Sequence, residues 1–134
     1  MKGLRGLLIR KIIITFIFLC IPLLSFPSTV FVALGVPAPQ PLVIVRLLGV
    51  AYPALIVGYY GGIQGLRKGR RPLSVIDMGL VSNGLASLVL FFFGITNHWS
   101  AWSKGAQIYM WLLAVGALVM TLQLLRARRK YAGS

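Results

Sequence analysis

Apolar residues gather into four long runs, roughly Ile12–Leu34, Leu42–Leu66, Leu73–Ile95 and Gly105–Leu125, separated by short links of a different character. Each run is a little over twenty residues long. At ~1.5 Å of helical rise per residue, that length crosses a hydrocarbon core of ~30 Å. The pattern therefore predicts four membrane-spanning helices.

The links explain where the helices stop. Gly35-Val36-Pro37-Ala38-Pro39-Gln40-Pro41 cannot continue a helix and favours an extended, polyproline-like path. Arg67-Lys68-Gly69-Arg70-Arg71-Pro72 mixes basic residues with helix breakers. Thr96 to Lys104 is polar and holds Asn97, His98, Ser100 and Ser103. No link is long enough to fold separately. The expected fold class is an all-α integral membrane protein, an antiparallel four-transmembrane-helix bundle in a single membrane domain over residues 1–134.

Composition strengthens this reading. Of 134 residues, 58% are hydrophobic and 11% charged. A soluble domain of this size has too much surface for its volume to hide so much apolar area. A bilayer removes the difficulty by solvating the outer faces.

Charge then orients the chain. The formal net charge is +13, and Asp77 is the only acidic side chain. Lys2, Arg5, Arg10 and Lys11, then Arg67, Lys68, Arg70 and Arg71, then Arg126, Arg128, Arg129 and Lys130 fall on one side of the predicted topology. The other side has only Arg46 and Lys104. By the positive-inside rule both termini and the 67–71 link face the cytoplasm, and the 35–41 and 96–104 links face outward. The expected location is the plasma membrane, of the bacterial inner-membrane kind. Anionic lipid headgroups are the expected partners of the basic clusters. Nucleic acid is not, because no soluble basic domain remains once the spans are removed. The first run begins like a signal peptide but is longer than an h-region and ends in no small-x-small cleavage site. It is expected to be a true span, bent near Pro22 and Pro27.

Few side chains carry candidate chemistry. Asp77 has a structural reading: Ser74-Val75-Ile76-Asp77 matches a capping box, with Arg70 and Arg71 close by in sequence. Arg46 interrupts an apolar stretch near the outer end of the second run. It can snorkel to headgroups, or face inward and bind an anion, a partner's carboxylate or helix-end carbonyls. With Tyr52 and Tyr59, seven apart around the bend expected at Pro53, it forms a candidate polar site. Small residues define packing faces: Gly58, Gly61, Gly62 and Gly65 on the second run, then Gly79, Asn83 and Ser87 on the third. Ala114, Ala117 and Thr121 form a third face, expected to bind a different polypeptide. Asn83 and Gln123 suit interhelical hydrogen bonding. Trp99, Trp102 and Tyr109 suggest an interfacial aromatic belt.

The remaining residue types narrow the function. Cys20 is the one cysteine and His98 the one histidine, so a CxxC pair, a bis-histidine haem or a protein-only metal site cannot be assembled within the chain. No nucleophile with a base and no pair of carboxylates can be brought together, so no enzyme activity and no cofactor are expected. Quinone-linked disulfide oxidases need cysteine pairs. Small multidrug transporters need an acidic residue in the first span, and the pore motifs of fluoride channels do not occur at matching places. In topology and length alone, the plan resembles small four-helix bacterial membrane proteins of the DoxX-like kind. The expected function is a non-catalytic membrane subunit or accessory protein packing against a larger membrane complex or against itself. The alternative is a small transporter or channel for an anionic or lipid-like solute.

Overall fold

A computed structural model of the chain describes residues 2–37, 41–71 and 73–132. The centre of the proline-rich link, Ala38 to Gln40, lies outside the described residues, as do Pro72 and residues 133–134. Among the described residues every regular element is helical. The order is α1 (Lys2–Thr15), a π-helical turn (Phe16–Cys20), α2 (Ile21–Ser25), α3 (Ser28–Ala33), α4 (Leu42–Arg67), α5 (Leu73–Ile95) and α6 (Lys104–Ala132).

Four helical segments are long and apolar enough to cross a membrane: Gly3–Ser25, Leu42–Arg67, Leu73–Ile95 and Lys104–Tyr131. The first lies earlier in the chain than the apolar run Ile12–Leu34 implies. Arg5, Arg10 and Lys11 are inside its helix and do not merely flank it. Both residue types favour helix, with Arg5 and Arg10 exposed and Lys11 half-buried. Proline ends the segment. Phe26, ahead of Pro27, adopts an extended conformation with φ −72° and ψ 121°, because the proline ring disfavours helical geometry in the residue before it. Pro22 has a milder effect. The helix widens into the π turn, in which Ile21 N–H donates to Phe16 O, one residue further back than in an α-helix.

The chain forms two compact units, one of Met1–Ala33 with Pro37–Pro72, the other of Leu34–Val36 with Leu73–Ser134. In the first, α1, the π turn and α2 pack along α4. Gly49 of α4 marks the closest approach. A Cβ there would stand 3.0 Å from the Leu24 side chain and 3.1 Å from the Leu23 backbone. The α4 helix runs through Pro53 without a break. It ends where Gly69 turns left-handed at φ 71°. There Arg70 N–H donates to Gly65 O and Gly69 N–H to Leu66 O, the two bonds of a Schellman motif.

The second unit is built on the α5–α6 hairpin. Asp77 with Arg128, Gly84 with Thr121 and Gly94 with Trp111 keep one antiparallel register from end to end. Asn97 closes α5 in a left-handed conformation at φ 59°, with His98 N–H donating to Phe93 O and Asn97 N–H to Gly94 O. This is again a Schellman ending, with asparagine in the place usually held by glycine. Ser103 then caps α6, its hydroxyl accepting from Ala106 N–H at 3.2 Å. The same hydroxyl donates to Leu34 O, while Ser103 N–H donates to Gly35 O, tying residues 34–35 to this turn.

Candidate functional site

The polar feature most integrated into the backbone is Arg46, one turn inside α4. Its Nη1 donates to Leu23 O and its Nη2 to Phe26 O, each at 2.6 Å. Both acceptors have a reason to be free. In an α-helix Leu23 O would receive the amide hydrogen of residue 27, which is a proline and has none. Phe26 has left the helix, and the first turn of the next segment uses Pro27 O, which accepts from Val30 N–H. A planar guanidinium presents two donors in a fixed fork and fits the pair of carbonyls. Of the arrangements open to Arg46 from sequence, the structure shows binding to helix-end carbonyls.

Tyr52 and Tyr59 do not complete a site around it. Tyr59 lies thirteen residues further along an unbroken helix, about 20 Å at the rise of an α-helix. It is fully buried, and Tyr52 is half-buried. Thr15, at the entrance to the π turn, is buried, and its hydroxyl has no hydrogen-bond partner among the described residues.

Asp77 meets Arg128 of α6, with Nε to Oδ1 at 2.5 Å. Both side chains are about half exposed. Ser74 lies in the first turn of α5, which begins at Leu73, and is exposed. The arrangement ties the last turns of α6 to the first turns of α5.

The small-residue faces differ in how they are used. Gly79, Asn83 and Ser87 are all buried, and Asn83 Nδ2 donates to Gly79 O at 2.7 Å. On α6, Ala114 is fully buried, and Thr121 lies against the space beside Gly84. The face expected to meet another polypeptide is thus already covered within the chain at these positions, because the hairpin register brings it against α5. On α4, Gly58 is half-buried and Gly62 buried, whereas Gly61 is exposed. No atom comes within 4 Å of a Cβ built on Gly61 or on Gly65.

The turn end of the hairpin gathers the aromatic residues. Trp99 is only 5% exposed and stands edge-on to Trp111, with ring centroids 5.9 Å apart. The sequence suggested Trp99 as part of an interfacial belt, and the structure corrects that. The residue is packed in because Gly94 leaves room for it. A Cβ at Gly94 would fall 2.7 Å from Trp99 and 2.8 Å from Trp111. Phe91 extends the cluster edge-on to Trp111, and Phe93 does the same to His98. A shallow apolar hollow of about 320 Å³ opens here between Leu90, Phe93, His98, Trp99, Trp102 and Met110.

Sequence reasoning passed over Gly49 and Gly94, and placed Ser103 in a polar link without its capping role. Gly49 stands four residues before Pro53, and Gly94 follows three phenylalanines and stands three residues before Asn97. Both settings are local signals of close packing or of a helix end. Compared with known protein families, curated proteins and solved structures, the chain matches none.

Proposed function

We propose that the chain is a non-catalytic membrane subunit or accessory protein, an antiparallel four-helix bundle that packs against a larger membrane complex. The observation that carries this reading is the open Gly61 and Gly65 face of α4. Lipid supplies no hydrophobic drive between helices, so association rests on close van der Waals approach and interhelical hydrogen bonds. A Gly-xxx-Gly pair inside a spanning helix provides that approach, and no described residue of a neighbouring element comes within 4 Å of a Cβ at either position. The transporter alternative is less favoured. It needs Arg46, Tyr52 and Tyr59 on one path, whereas Arg46 is engaged with backbone and Tyr59 lies far along the helix.

The charge asymmetry supports a topology with both termini and residues 67–71 cytoplasmic, in a plasma membrane of the bacterial inner-membrane kind. With Cys20 replaced, a cysteine at Ser100 is expected to react with an impermeant thiol reagent in intact cells. Protection there, with labelling at residues 67–71 instead, would invert the orientation.

Purification in gentle detergent, followed by mass spectrometry of co-purifying chains, tests the subunit reading. Gly61→Leu and Gly65→Leu are expected to remove a stoichiometric partner while leaving the melting of the isolated protein unchanged. The reading fails if the wild type carries no partner, or if both variants retain every one.

A further inference from the structure

Beyond its bonds to the first span, Arg46 keeps donors and a charge that no described residue uses. A guanidinium has five N–H groups, and two of them bind Leu23 O and Phe26 O. The Nε–H and one N–H on each Nη have no acceptor among the described residues. Two carbonyl dipoles satisfy hydrogen bonds but carry no net charge. The chain's one carboxylate, Asp77, is held by Arg128 in the other compact unit. The cation is thus uncompensated within its own unit.

Its surroundings define what would neutralise it. Val43, Ile44, Leu47 and Leu48 flank Arg46 on α4 and are 57%, 61%, 65% and 49% exposed, an apolar surface suited to acyl chains. Arg46 itself is half-buried and lies about 6 Å along the axis from the start of α4, within reach of headgroups. The two 2.6 Å bonds hold the guanidinium in one orientation, so it does not have to be ordered when an anion arrives. A phosphate oxyanion has the charge, and the spacing of its oxygens suits two parallel N–H donors. We propose that Arg46, held against the proline break of the first span, binds the phosphate of a phospholipid whose acyl chains lie along the exposed face of α4. The proposal is independent of whether the chain serves as a subunit.

The structural and ligand roles of Arg46 can be separated. Pro27→Ala supplies an amide hydrogen that Leu23 O can accept, so the helix no longer needs the guanidinium at that carbonyl. The doubly substituted Pro27→Ala/Arg46→Gln chain then keeps an amide donor for Phe26 O but lacks the cation. Delipidated protein is titrated by native mass spectrometry with dioleoyl-phosphatidylglycerol, with dioleoylglycerol and with inorganic phosphate. Wild type and Pro27→Ala are expected to bind one phosphatidylglycerol at least tenfold more tightly than the double variant does. Dioleoylglycerol, which has the same chains without the phosphate, should not fill the site. Inorganic phosphate at millimolar concentration should not displace the lipid.

Equal phosphatidylglycerol binding by wild type and the double variant overturns the proposal. Displacement by inorganic phosphate overturns the lipid as the source of the anion. A measurement on the wild type alone guards against a double variant that does not fold. The Arg46 Nε–H resonance, assigned by its loss in Arg46→Lys, is expected to shift on addition of phosphatidylglycerol and not of dioleoylglycerol. An unmoved resonance also sinks the idea.

Discussion

The two compact units solve the same problem in different ways. In the first, prolines interrupt the opening span, and the backbone groups they release are satisfied by a side chain from α4. In the second, α5 and α6 are uninterrupted, and their register is held by shape, with Gly94 at the point where the Trp99 and Trp111 rings come close. The first unit adds, to the close approach at Gly49, a polar group reaching an irregular backbone, whereas the second relies on missing side-chain volume beside regular backbone. Inside a bilayer both would matter, because the hydrocarbon core offers no water to an unpaired carbonyl and no hydrophobic drive compensates for loose packing.

The comparison breaks first at Arg46. Arg46→Met removes both donors while keeping the side chain's length, leaving two carbonyls unpaired. Hydrogen bonds from a charged donor are worth ~1.5–3 kcal/mol each, so losing two is expected to cost about 3–6 kcal/mol in detergent unfolding. Amide exchange should accelerate at residues 23–31 and stay unchanged in α5 and α6. Unaltered stability and exchange would mean the first span does not need its clamp.

The second unit is probed by two glycines of opposite expected sign. Alanine in place of glycine inside a helix ordinarily stabilises by up to about 1 kcal/mol. Gly84→Ala should show that gain, since its Cβ would meet only Thr121 Cγ2 at 3.8 Å. Gly94→Ala should reverse it, costing about 1–3 kcal/mol as the Trp99 and Trp111 rings are displaced. Trp99 emission should shift to the red. Equal effects at the two positions would show that the aromatic cluster yields easily and does not set the packing.

The smallest expected effect is at the other end of the hairpin. Asp77→Asn replaces a half-exposed ion pair by a neutral contact, and surface pairs contribute little. The melting temperature should be unchanged within error. A clear fall would place the register of α5 and α6 under electrostatic control, narrowing the contrast between the units.

The four long apolar helices were legible because apolar length alone carries them, and the links at residues 67–71 and 96–104 were legible from their breakers and polar residues. The start of the first span was not. Arg5, Arg10 and Lys11 read as a flank by charge, yet helix propensity and the absence of proline before Pro22 keep them helical. Half of the Arg46 arrangement was in the sequence, since Pro27 necessarily frees the carbonyl of Leu23 if that segment is helical. The other half was not, because which donor fills the gap depends on how α2 packs on α4. Trp99 was misplaced for a related reason. A tryptophan in a polar link suits an interface, and only the space left by Gly94 draws it inward.

The bond from Ser103 to Leu34 spans 69 positions in the chain and so also has a date. During synthesis Leu34 and Gly35 appear long before the residue whose hydroxyl and amide occupy their carbonyls. At ~5–20 residues per second the delay is roughly 3–14 s. Through that interval the Leu34 and Gly35 carbonyls are without the Ser103 donors that they have in the folded protein. The second unit cannot finish until the last link has been made, so the order of translation leaves its earliest piece waiting for its latest.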